Sequence, residues 1–153
     1  MIYKTFVPAL MLALLLPSLS SFAAPLKVNV NLSTKGNDIA FDATSIQVPF
    51  GRDIHLGFSN QAAKDSEILH NIAVLSPGSL ERVLKAFQES DYDVDKIRKH
   101  KDVLAMTPTL KPGVASVLKI SKSKLNKKGY YPYVCLMPGH ADVLGMKGIM
   151  NVQ

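Results

Sequence analysis

The lone cysteine of this 153-residue chain stands in Cys135-Leu136-Met137-Pro138-Gly139-His140, and Gly145-Met146-Lys147-Gly148 follows close behind. A thiolate, an imidazole and a thioether within one short loop are a soft donor set. Such a set suits a copper ion that cycles between two oxidation states. Three donors in one loop constrain the fold strongly. The rest of the chain has to supply a rigid frame and bring a second imidazole from far away in sequence.

The chain length allows one domain with a sizeable core. Its first residues do not read as part of that domain. Lys4 opens a positive start, Phe6 to Leu16 is apolar apart from Pro8, and Ser21-Phe22-Ala23 places small residues around a cleavage point. Residues 1–23 are expected to be a signal peptide and residues 24–153 a single exported domain, placed in the periplasm. The apolar run is short for a bilayer span, which takes about 20 residues, so no stable membrane insertion is expected. An unpaired cysteine in an oxidising compartment is a liability unless something consumes its thiolate, and metal ligation does that.

The net charge is +6, and Lys119, Lys122, Lys124, Lys127 and Lys128 fall close together. A solvated turn between strands is the ordinary reading of such a run. Steering of an acidic partner, or contact with an anionic surface, is the other. No aromatic residues interleave with these lysines in the way nucleic-acid binding requires, so no nucleic-acid partner is expected.

Short strands fill most of the remaining chain. Leu26 to Leu32 alternates apolar and polar residues, and Asp53 to Asn60 puts Ile54, Leu56 and Phe58 on one face. Ile68 to Leu75 reads as a strand with His70 and Asn71 near its start. Val114 to Ile120, Tyr130 to Cys135 and Gly148 to Val152 continue the pattern, with Gly, Pro and Asn turns between them. One section differs. Leu80, Val83, Leu84 and Phe87 recur at helical spacing behind Ser79, an expected N-cap, and a helical insert is expected over about Leu80 to His100. The fold class is all-β: a Greek-key, antiparallel β-sandwich or barrel of seven to eight strands with that insert.

A strand-end cysteine, a loop histidine and a distant histidine can converge as a trigonal set, with a weak thioether as axial donor. Zinc is the rival for Cys and two His, but it calls for a fourth strong ligand, and Asp142 is the only carboxylate nearby. His55, on the outward face of its strand, and His100, among Arg98, Lys99 and Lys101, read as surface residues.

The chain resembles the cupredoxins, type 1 blue copper proteins, and among them the azurin and auracyanin branch. The resemblance covers essentially the whole chain after the signal. It rests on Leu69-His70-Asn71 opening a strand, on the helical insert behind it, and on Ser123-Lys124-Leu125 before a lysine-rich turn. Tyr133-Val134-Cys135, Pro138-Gly139-His140 and Gly145-Met146-Lys147-Gly148 complete it. It implies that His70, Cys135 and His140 are equatorial ligands of one copper ion, Cu(II)/Cu(I), and that Met146 is the axial ligand. Asn71 is then the neighbour whose hydrogen bonds join the two ligand-bearing loops. Leu69 stands where azurins have glycine, and its carbonyl could approach the metal.

Two departures from the family pattern stand out. Five residues, Ala141 to Gly145, separate His140 from Met146, against three in azurins and four in auracyanins. The disulfide that azurins carry near the N-terminus is impossible here.

The function implied is electron transfer, not enzymatic catalysis. The alternative is a copper-binding or delivery protein without a shuttle role. With one cysteine and four histidines, the chain lacks the additional histidines of copper oxidases or nitrite reductases. Leu136, Met137, Pro138, Val143 and Leu144 would surround His140 as an apolar patch for transient docking of redox partner proteins, though ordinary loop packing would account for the same residues. A monomer is expected.

Overall fold

The computed structural model describes residues 27–153; the export segment expected over residues 1–23 lies outside them. Eight strands and two helices follow in order: β1 (Lys27–Ser33), β2 (Ser45–Val48), β3 (Asp53–Ser59), β4 (Ala73–Leu75), α1 (Leu80–Glu89), α2 (Val94–Arg98), β5 (Val103–Met106), β6 (Ala115–Ile120), β7 (Gly129–Val134) and β8 (Lys147–Val152). They form two sheets, β1-β3-β6 and β2-β8-β7-β4-β5. The architecture is a sandwich and not a closed barrel.

The alternation seen in the sequence sets which side chains enter the core. Ile54, Leu56 and Phe58 of β3 are buried while their neighbours are half-exposed, and Leu118 and Ile120 of β6 face them from the paired strand. Met150 and Val152 of β8 close the core from the other sheet.

Two strand pairs depart from the antiparallel expectation. β1 runs parallel to β3, and β2 runs parallel to β8. The cause is connectivity. The chain passes from the first sheet to the second and back between β1 and β3, so the two strands enter their sheet in the same direction.

The expected strand from Ile68 to Leu75 is shorter than its apolar run. Only Ala73–Leu75 joins the ladder. Upstream the backbone bonds elsewhere: His70 and Leu110 exchange hydrogen bonds of 3.1 and 2.7 Å, and Thr107 N–H donates to the Ile72 carbonyl at 3.0 Å.

The helical insert resolves into two helices. Ser79 occupies the N-cap position of α1, but its hydroxyl donates to the Ser76 carbonyl instead of capping. At α2 the Asp93 carboxylate accepts from the N–H groups of Asp95 and Lys96 at 3.0 Å, as an N-cap does. Val83, Leu84 and Phe87 of α1 and Ile97 of α2 pack on the outer face of the larger sheet, against Ala73, Leu75, Val134, Leu136 and Ala141. That second small core explains why β7 is buried on both faces from Tyr131 to Val134. Tyr131, Tyr133 and Cys135 point into the sandwich, and Val134 and Leu136 point under the helices.

Candidate metal centre

Strand β7 ends at Val134, paired with Lys147 of β8. The next residue, Cys135, keeps the inward parity of Tyr131 and Tyr133 and is fully buried. Gly148, opposite Tyr133, has a physical reason to be glycine: a Cβ there would sit 2.2 Å from the Tyr133 ring. The ring is held in place by its hydroxyl, which donates to the Ala43 carbonyl at 2.7 Å.

The loop beyond Cys135 folds back on itself. Cys135 N–H donates to the Met146 carbonyl at 3.1 Å, and Met146 N–H donates to the His140 carbonyl at 2.8 Å. Between them, Val143 and Leu144 both donate to the Gly139 carbonyl, at 3.2 and 3.0 Å. Gly139 takes φ +77°, a region that glycine enters without steric cost. The residues that lengthen this loop are therefore taken up in a compact turn, and Met146 returns beside both Cys135 and His140. Its side chain is buried in the same core cluster as Cys135.

His70 reaches the site from the segment that leads into β4, the strand next to β7, and is held by its backbone exchange with Leu110. Its Nδ1 lies 3.8 Å from Cys135 Sγ, and His140 Nδ1 lies 3.4 Å from the same sulfur. One donor atom from each of the three residues lies within 4.8 Å of the others, the one such His/Cys/Asp/Glu group among the described residues. His70 is fully buried, whereas His140 is half-exposed at the end of the sandwich.

Asn71 joins the two ligand-bearing segments. Its side-chain amide donates to the Leu136 carbonyl at 2.9 Å and its carbonyl oxygen accepts from Leu136 N–H at 2.7 Å. Leu69, half-buried, precedes the bridge. The far nitrogen of His70, Nε2, is buried without a hydrogen-bond partner.

Burial sets the protonation of the site. It pushes the Cys135 thiol up to about 12, partly offset by backbone hydrogen bonds from Asn71 and Met137. Burial lowers His70 to about 4, and the neighbouring His140 adds to this. His140 is lowered as well, by burial. The metal-free site therefore holds a neutral thiol and two neutral imidazoles at pH 7. Neutral imidazole is the ligating form of histidine, whereas the thiol must lose a proton to ligate.

The donor set fits copper. Bonds of about 2.0–2.3 Å place the donors of a trigonal set about 3.5 Å apart, close to the sulfur–nitrogen separations here. No carboxylate joins the three donors, and the buried Met146 offers only a thioether, a weak, soft ligand that suits copper better than zinc.

A family model for copper-binding proteins, the plastocyanin/azurin family, matches residues 28–153. The chain belongs to this family. Auracyanin-A of Chloroflexus aurantiacus is 24% identical over 131 residues, covering 81% of this chain and 75% of the relative. Among solved structures, reduced auracyanin from Roseiflexus castenholzii superposes with a TM-score of 0.69 at 24% identity, over 86% of this chain and 99% of that one. An azurin from Methylomonas sp. strain J gives 0.67 at 24%, over 85% and 99%. These structural likenesses establish the cupredoxin fold. Membership implies one bound copper ion and, in general terms, electron transfer.

Some expectations for the cupredoxin loops need correction. Leu136 cannot belong to a docking patch, because it is fully buried under α1. Met137 is half-buried against the main core, with the Thr109 hydroxyl directed at its sulfur from 4.0 Å. Pro138, Val143 and Leu144 are exposed, Val143 by 77% and Leu144 by 58%. His100, expected at the surface, is half-buried and its Nδ1 accepts from Asp102 N–H at 3.2 Å. Three positioning contacts carried no sequence signal: the Leu110 bridge, the Thr107 hydroxyl accepting from Ile72 N–H at 3.0 Å, and Gln88 of α1 donating to Asp142 of the ligand loop at 2.9 Å.

Proposed function

We propose that this protein is a periplasmic carrier of single electrons, exported by a signal peptide over residues 1–23, with residues 24–153 as its one domain. His70, Cys135 and His140 would hold the copper ion equatorially and Met146 axially, with Asn71 setting the spacing of the loops that carry them. The ion would supply one-electron exchange between its two oxidation states. The observation that carries this reading is the triangle of the buried His70 Nδ1 and Cys135 Sγ with the half-exposed His140 Nδ1, with sulfur–nitrogen edges of 3.8 and 3.4 Å.

The chain's own residues favour a carrier over an enzyme. Cys135, His70 and Met146 are buried, so water and substrates have no approach from their side. Packing on both faces of β7 and the Asn71 clamp restrain the donors, which keeps rearrangement small when charge changes. The half-exposed ring of His140 is then the edge through which an electron leaves. Pro138, Val143 and Leu144 beside it, with the exposed part of Met137, form the surface on which a redox partner would dock briefly as the monomer meets it.

The second reading, copper storage or delivery without shuttling, is favoured by the same buried thiol. Loading with Cu(II) separates the two. The carrier reading expects intense visible absorption from thiolate-to-copper charge transfer, reversible reduction, and a shifted potential in Met146→Leu. A colourless protein after Cu(II) loading, or one that takes up only Cu(I), would contradict it. An unchanged potential in Met146→Leu would remove Met146 from the ligand set.

A further inference from the structure

The end of the sandwich away from the metal site carries a dense set of cations. Strand register places them together. Val48 of β2 and Gly129 of β7 both pair with Val152 of β8, and Phe50 N–H donates to the Gln153 carbonyl at 2.7 Å. The loop after β2 leads to Asp53, which pairs with Lys27 of β1. The loop before β7 starts at Ile120, which pairs with Ile54, and Lys122 N–H donates to the Asp53 carboxylate at 2.8 Å. Lys27, Lys119, Lys122, Lys124, Lys127 and Lys128 are exposed at this end, and Arg52 is half-exposed among them. Against them stands the Asp53 carboxylate, which accepts from Lys122 N–H. Asp102, at the entry to β5, is paired with Arg82 at 2.8 Å.

Two exposed aromatic rings share this end. Phe50 is 42% exposed and Tyr130 is 67% exposed. Lysines on long apolar stems around exposed aromatic rings match the boundary between lipid headgroups and acyl chains, where rings partition and ammonium groups meet phosphates. We propose that this basic pole is a docking surface for anionic lipid headgroups. Bound in this way, the sandwich holds its ligand end off the membrane by the length of β7, about 20 Å, and leaves His140 free for a partner. The proposal does not depend on the metal assignment.

The test is co-sedimentation of the exported, copper-loaded protein with vesicles of phosphatidylglycerol and phosphatidylcholine, and with phosphatidylcholine vesicles alone. Recovery with the anionic vesicles only, abolished by high salt, is expected. Lys122→Gln, Lys127→Gln and Lys128→Gln together weaken binding about 100-fold, from about 5-fold per lysine. They leave the backbone bonds of that loop and the copper absorption intact. Phe50→Ser weakens binding further. Failure to sediment with anionic vesicles, equal recovery with neutral vesicles, or no response to the lysine changes would overturn the proposal. So would capture by polyglutamate or by duplex DNA as strong as capture by the anionic vesicles.

Discussion

Asn71 and Leu136 are 65 positions apart and exchange two buried hydrogen bonds, side-chain amide to backbone carbonyl at 2.9 Å and backbone N–H to side-chain oxygen at 2.7 Å. Both partners flank a metal-site residue, His70 on one side and Cys135 on the other. Asn71→Ala leaves two buried backbone groups of Leu136 without partners. Each unsatisfied group costs about 1–3 kcal/mol, so a loss of about 2–6 kcal/mol in denaturant unfolding is expected. Metal affinity falls about 10- to 100-fold with the loss of such support. Asn71→Asp retains the acceptor but not the donor, and is expected to fall between.

Gly148 and the Tyr133 ring occupy the same space. The missing Cβ would meet two ring carbons and the hydroxyl oxygen at 2.2–2.6 Å, and the ring cannot retreat without breaking its hydroxyl bond to Ala43. Gly148→Ala is therefore expected to destabilise the fold by about 1–3 kcal/mol, the usual cost of forcing extra volume into a packed core. Gly148→Ala with Tyr133→Leu should recover part of that loss. Equal destabilisation in the single and double variants would contradict the steric account.

Much of this was legible in the sequence because it depends on short-range periodicity. The alternation over β1 and β3, the helical spacing from Leu80 to Phe87 and the Cys135–His140 spacing all report local geometry. The parallel pairing of β1 with β3 was not legible, since strand direction depends on which sheet the intervening strand joins. Leu136 was misplaced for a related reason. Its parity opposes Cys135, but only the docked helix turns that outward side into a second core. The bridge that holds His70 uses the backbone of Leu110, which leaves no mark on side-chain pattern.

Leu136 and Val143 test that correction directly. Leu136 sits among Val83, Leu84 and Phe87, so Leu136→Ala opens a cavity and should cost about 2–5 kcal/mol. Val143 and Leu144 project into solvent, so Val143→Ser with Leu144→Ser should leave unfolding within about 0.5 kcal/mol of the parent. The same double variant should slow electron exchange with a redox partner while the copper spectrum stays unchanged. Unchanged exchange would place docking elsewhere.

His70 gives the metal-free protein a defined pH dependence. Burial lowers it from 6.5 to about 4, so the unfolded chain binds the proton more readily between those values. Stability therefore rises with pH through this window and is lost as pH falls from about 6.5 to about 4. Melting temperatures of the metal-free protein across that range should fall accordingly. His70→Gln should flatten the dependence.

Cys135 makes metal loading a proton-releasing event. Its thiol is pushed up to about 12 in the metal-free site, so it is protonated at pH 7, while both imidazoles are neutral. Loading should then release about one proton per site at pH 7, the thiol's own, with none from the histidines. Calorimetric titration with Cu(II) in buffers of different ionisation enthalpy reads that number as a slope. His70 adds nothing to that count until the pH approaches about 4, because burial holds it deprotonated above that. A count near zero at pH 7 would mean that the thiolate already exists before the metal arrives, and a count near two would mean that one imidazole was charged.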